Sequence, residues 1–204
     1  MPHSIEKIKS TLIGGGARPN LFQVDLTSFP GSGDSGYDSD SFSVLCKAAQ
    51  LPASNVASID VPFRGRIFKV AGDRTFDTWT ITVINDNDFV IRTAMERWMQ
   101  EIAQYADGSG LLNPADYQVD AVVKQFSRLT SNPSERSGDG LETIKKYKFY
   151  GIFPTNIAAI DLSYDTSDTI EEFTVEFQVQ YWSPDNSADS VSYTHLTLPT
   201  KQDV

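Results

Sequence analysis

The sequence is short of the residues on which most enzymes and metal proteins depend. Cys46 is the only cysteine in 204 residues. A lone cysteine permits no internal disulfide and no cysteine-based zinc site. There are two histidines, His3 and His195, one near each end. A Ser-His-Asp or Cys-His arrangement therefore has no usable base. Basic residues are also scarce, with 17 Lys and Arg against 27 Asp and Glu, a net charge of −10. So acidic a chain is poorly suited to gripping nucleic acid phosphates. No apolar run approaches the roughly 18 residues of a membrane-crossing helix. The first residues, MPHSIEKIKS, lack the apolar stretch of a signal peptide, so no membrane anchor is expected. What remains is 40% apolar and 11% aromatic. That suffices for one domain with a real core.

Along the chain, residues 1–16 form a polar arm ending in Gly14-Gly15-Gly16, which reads as a hinge. Residues 21–26 alternate as a strand. The run PGSGDSGYDSD from Pro30 to Asp40 cannot build a core and reads as a surface loop. Phe42, Val44 and Cys46 are expected on a second strand. Val56–Phe63 and Arg64–Val70 are two more, turning at Phe63-Arg64-Gly65-Arg66. Ala71-Gly72-Asp73-Arg74-Thr75 reads as an irregular polar loop. Phe76–Ile84 then has strict period two, with Trp79, Ile81 and Val83 on one face. Asn85–Asp88 offers helix caps, and Ile91, Met95, Trp98 and Ile102 form one apolar stripe on a helix from about Asn87 to Tyr105. Tyr117–Leu129 and Leu141–Phe153 read as strands. Ala158–Tyr164 is expected to pair with Ile170–Trp182 as a final hairpin. There Phe173, Val175, Phe177, Val179 and Tyr181 share a buried face, and Thr174, Glu176, Gln178 and Gln180 a wet one. The fold class expected is mainly β, an antiparallel barrel or sandwich of about eight strands with one flanking helix.

No motif carries catalysis. There is no G-x-x-x-x-G-K-[ST], and no G-x-G-x-x-G between strand and helix. Asn85–Asp88 lacks the spacing and bidentate Glu of an EF-hand. Glu171 and Glu172 are adjacent on a strand and point to opposite faces. Cys46 lies in an apolar segment, as an inert core thiol. No cofactor and no metal are expected.

Residues 191–200, Val-Ser-Tyr-Thr-His-Leu-Thr-Leu-Pro-Thr, resemble one translated frame of a sequencing-library transposon adapter. Residues 189–204 are accordingly read as non-native and set aside from fold reasoning. Leaving them out removes Asp189, Asp203 and Lys201 and moves the net charge only from −10 to −9. The organisation expected is an arm over 1–16, a single domain over 17–188, and this tail.

Several segments together resemble one family. They are Ala17–Val24, Cys46-Lys47-Ala48 with Leu51-Pro52-Ala53, and Val70-Ala71-Gly72-Asp73-Arg74-Thr75-Phe76-Asp77-Thr78-Trp79 continuing to Asp86. The helix with Arg92 and Trp98, Phe153-Pro154-Thr155-Asn156-Ile157, and Ile170–Trp182 complete the pattern. In this order they resemble the tail tube proteins of contractile-tailed bacteriophages. The resemblance implies a non-enzymatic virion protein assembled in the host cytoplasm. Six copies would form a ring, and rings would stack into a tube inside the contractile sheath, with the helix outside. It implies as partners the chain itself, the tail sheath protein, a baseplate hub or tube initiator, and a tape-measure protein in the lumen. DNA would pass without specific binding. For stacking, the expected residues are Ala71, Gly72, Asp73, Arg74 and Thr75, the Leu51–Ser58 segment beginning with Leu51 and Pro52, and the arm from Ile13 to Arg18. Glu176, Gln178 and Gln180 are candidates for the bore. The rivals are the tube of a tailocin or type VI secretion-like machine, a baseplate tube initiator, and a monomeric β-sandwich binding module.

Overall fold

In the computed structural model, residues 5–12, 16–128, 142–165 and 167–185 are described. The adapter-like segment 189–204 and residues 13–15 of the arm lie outside them. Four helices and nine strands follow in order: α1 (Ile5–Thr11), β1 (Phe22–Asp25), α2 (Ser39–Leu45), β2 (Cys46–Ala49), β3 (Ser54–Phe63), β4 (Arg66–Phe76), β5 (Trp79–Ile84), α3 (Val90–Ile102), α4 (Pro114–Tyr117), β6 (Val119–Phe126), β7 (Thr143–Ile157), β8 (Glu172–Gln178) and β9 (Tyr181–Pro184).

The main antiparallel sheet has the order β1-β6-β7-β8-β5-β2, and β9 also pairs with β7. The 15-residue β7 belongs to both halves of the fold. Its first part pairs with β6 and β9, and its second part, Phe153–Ile157, with β8. The bend falls at Gly151, where φ is +60°. A Cβ there would come within 2.8 Å of Gln180 Cγ, so only glycine lets the β8–β9 corner close over β7.

The core fills from the alternation that the sequence shows. Trp79, Ile81 and Val83 of β5 face Phe173, Val175 and Phe177 of β8 across the register Trp79↔Phe177, Ile81↔Val175, Val83↔Phe173. Trp79 stacks on Phe149 at 4.6 Å. Helix α3 lays Ile91, Ala94, Met95 and Trp98 onto this layer. The Trp98 Nε1–H donates to the Tyr117 carbonyl at 2.9 Å, which satisfies the one polar atom of a fully buried ring.

Four local expectations are corrected. Residues 39–45 are helix, not strand. Asp38 accepts from the Ser41 N–H at 2.9 Å and caps the turn, and Phe42 alone is buried there. The 30–40 segment is not merely solvated. Tyr37 meets the Phe29 ring edge-on at 4.7 Å, and its hydroxyl donates to the Leu26 carbonyl. Helix α3 starts at Val90, after Phe89 in the left-handed region, and Asp86 Oδ1 accepts from the Val90 N–H at 3.2 Å. The last hairpin is also different: β8 pairs with β7, and residues 158–165 and 167–171 belong to no strand. Strand β7 runs four residues past Phe153, so the pairing expected for Ala158–Tyr164 is already made by Phe153–Ile157.

Candidate functional site: a projecting amphipathic hairpin

Strands β3 and β4 form a separate two-stranded sheet. Nearly every residue in them is exposed. The turn falls at Arg64-Gly65, with φ of 47° and 81°. Opposed residues of an antiparallel pair share a face. The register Ile59↔Val70, Val61↔Phe68, Phe63↔Arg66 therefore gathers five large apolar side chains on one side. Arg66 is the only polar member, and the Arg64 guanidinium lies 5.4 Å from the Phe63 ring centre. The opposite side carries Asp60↔Lys69, ion-paired at 2.6 Å, with Ser58, Ala71, Pro62 and Ile67.

An isolated two-stranded hairpin is marginal in water, and a continuous exposed apolar face marks an interaction surface. The root is fastened to the body. Asp77 N–H donates to the Ala53 carbonyl at 3.1 Å, and Asn55 Nδ2 to Asp77 Oδ1 at 3.0 Å. Phe76 meets Trp182 edge-on at 6.1 Å.

Ala71, Gly72, Asp73, Arg74 and Thr75 are strand, not loop. They lie in the root half of β4, where the register slips opposite residues 56–58. Gly72 fits this bulge because a Cβ would sit 3.2 Å from the Ala57 carbonyl and Ile59 Cγ1. Asp73, Arg74 and Thr75 are exposed. Leu51 is exposed beside them, whereas Pro52 is buried. Arg18 is exposed, and its carbonyl accepts from Leu21 N–H at the entry to β1. The fold thus brings the 71–75 run and the 51–58 segment to one root and leaves Arg18 apart from it, in the irregular segment before β1. The Ile59–Val70 face was not among the expected site residues. Its alternation is visible, but apolar alternation reads the same for a core strand and for a projecting one.

Glu176 and Gln178 lie on the half-exposed outer face of the sheet formed by β2, β5, β8 and the end of β7. Thr80 and Asn156 flank Glu176 across the strands, and Thr82 and Thr174 touch at 3.4 Å. Gln180 is exposed at the β8–β9 corner over Gly151. The neighbouring outer face, on β6, β7 and β9, is charged: Lys124 pairs with Asp25 at 2.6 Å, and Lys146 and Lys148 reach Asp185 at 3.2 and 3.4 Å.

Cys46 is buried, and burial pushes its thiol up to about 12, which keeps it protonated and unreactive. Among the described residues, no three His, Cys, Asp or Glu side chains come together to hold a metal.

A family model described as phage tail tube protein matches residues 17–184. The chain is 35% identical over 169 residues to tail tube protein gp19 of Enterobacteria phage T4, covering 83% of this chain and 92% of that one. It is 26% identical over 165 residues to the tail tube protein of Serratia phage KSP90, covering 81% and 86%. Among solved structures, the PVC sheath–tube complex of an extracellular contractile injection system shares the fold, with a TM-score of 0.58 at 12% identity over 89% of this chain and 97% of that one. A chain of the anti-feeding prophage baseplate does so at 0.55 and 9%, over 83% and 95%. The chain belongs to the phage tail tube protein family.

Proposed function

We propose that six copies of this chain close into a ring, and that rings stack into the inner tail tube of a contractile-tailed phage. The apolar hairpin carries this reading. A face made of Ile59, Val61, Phe63, Phe68 and Val70 is stable in water only when covered, and stacked copies of the same chain cover it repeatedly. The root residues Leu51, Ala71, Gly72, Asp73, Arg74 and Thr75 then lie at the junction between hairpin and ring. The role is structural rather than enzymatic.

The outer face with Glu176, Gln178 and Gln180 is proposed to line the bore. Its residues are mostly uncharged threonine, asparagine and glutamine, with a carboxylate at Glu176 and the Lys47–Glu172 ion pair at its edge. Six copies at −9 carry about −54 per ring, and the part of that charge that lines the bore repels phosphates and leaves DNA to slide without sticking. The sheath would surround the tube, a tape-measure protein would occupy the bore before DNA, and a baseplate hub would seed the first ring.

Negative-stain electron microscopy of the concentrated chain tests the proposal, with residues 1–188 run in parallel. Tubes or six-fold rings with a central hole are expected from both. Uniform monomers that persist after a tail-initiating complex is added would overturn it. Glu176→Gln should leave assembly intact. Loss of tubes in that variant would remove Glu176 from the bore.

A further inference from the structure

Two of the exposed apolar surfaces outside the hairpin complement each other. One is α1, whose seven residues are all exposed. Ile5, Ile8 and Leu12 fall at i, i+3 and i+7 and make a single stripe. A helix this short does not hold itself together in water and needs a surface to pack on. The other is the 158–171 loop. It presents Leu162, Tyr164 and Ile170 to solvent around an open groove of about 740 Å³.

The charges of the two surfaces are complementary. The arm from Ile5 to Arg18 carries Lys7, Lys9 and Arg18 against Glu6, a net +2 in a chain of −10. The groove is lined by Asp161, Glu171 and Glu172, of which Glu172 pairs with Lys47, and the same loop carries Asp165 and Asp168 nearby and no basic residue of its own. Within one chain the α1 stripe stays in solvent although the groove is open. Both surfaces belong to the same chain, so self-assembly supplies them in equal number.

We propose that α1 of one copy docks in the groove lined by residues 159–164 and 169–172 of a second copy, apolar stripe against Leu162, Tyr164 and Ile170, with Lys9 facing Asp161. The docking rests on the ring-and-tube reading. It adds a clasp between subunits separate from the hairpin.

The test mixes full-length Ile8→Cys with full-length Ile170→Cys, assembles them, and oxidises. Both positions are exposed, so neither change disturbs the core. A disulfide-linked dimer is expected in the assembled mixture at least tenfold above the diluted one. Lys9→Glu should lower the yield several-fold, and adding Asp161→Lys should restore it. In a second measurement, Ile8→Asp should raise the concentration needed for assembly at least tenfold. Tubes by electron microscopy, with no mixed dimer and an unchanged assembly concentration, overturn the docking and leave the tube reading standing. In a chain carrying both substitutions, a link that forms within one chain as readily at dilution as in the assembly overturns it too. If the unaltered chain makes no rings at all, the tube reading itself fails and the docking falls with it.

Discussion

Phe68→Ser is the sharpest test of the hairpin. Phe68 is 65% exposed on the free chain and sits centrally on the apolar face, opposite Val61. A phenylalanine can bury ~200 Å², so about 130 Å² remains to be covered when a second copy arrives. At ~25 cal/mol per Å² this is worth about 3 kcal/mol of association, roughly 100-fold in the assembly equilibrium. The cost to the monomer is different. An exposed side chain on a projecting hairpin contributes at most about 0.5 kcal/mol to folding. At this chain length that is a shift in Tm of no more than ~2 °C. Pelleting assays across a concentration series read the assembly threshold, and thermal melting of dilute chain reads the fold. The expected result is a threshold raised about 100-fold with Tm unchanged. A threshold within threefold of the unaltered chain would show that the hairpin face stays in water, and the reasoning would fail.

Other outcomes follow from the body of the fold. Gly151→Ala should destabilise by about 2 kcal/mol in a denaturant titration, because it forces a Cβ into Gln180 at φ +60°. Trp98→Phe should cost about 2–3 kcal/mol, since the Tyr117 carbonyl loses its donor. Trp79→Phe should cost about 1 kcal/mol, because its buried Nε1 has no partner among the described residues to lose; equal losses for the two variants would refute this. Asp185 is held below the ordinary carboxylate value of 3.8, first by the hydrogen bond from Lys146 and next by that from Lys148. The folded state therefore favours the ionised form, and this stability is present above 3.8 and lost as pH falls through the lowered value. Asp185→Asn should lower Tm slightly at neutral pH and match the unaltered chain in strong acid, whereas a gap that widens on acidification would contradict the assignment.

Much of the fold was legible because it depends on local periodicity. The alternation of Trp79, Ile81 and Val83 and the stripe of Ile91, Met95 and Trp98 report burial directly. The misreadings share a cause, which is that partners are chosen at long range. Residues 158–164 carry a strand-like pattern, but β7 runs on to Ile157 and takes the β8 edge first. Phe42 and Val44 alternate like a strand, yet the Asp38 cap and a single buried Phe42 make a helix, with Val44 in solvent. Gly72 and Asp73 look like a loop, but the facing β3 carries them through a bulge as strand. At the candidate site, the 71–75 run reads as polar and irregular, and the 51–58 segment is expected beside it for stacking. The apolar face beside them is not, since sequence alone does not separate a residue awaiting a partner molecule from one already in the core.

The contact between Phe76 and Trp182 also has an optical consequence. The chain has three tryptophans. Trp79 and Trp98 are fully buried in the body, where their emission is insulated from events outside. Trp182 is half-buried at the hairpin root, between Phe76 and Tyr147. Its indole is therefore a built-in reporter. Any seating of the hairpin that tilts β4 moves Phe76 across this ring and changes its emission, so polymerisation can be followed in real time with no label attached.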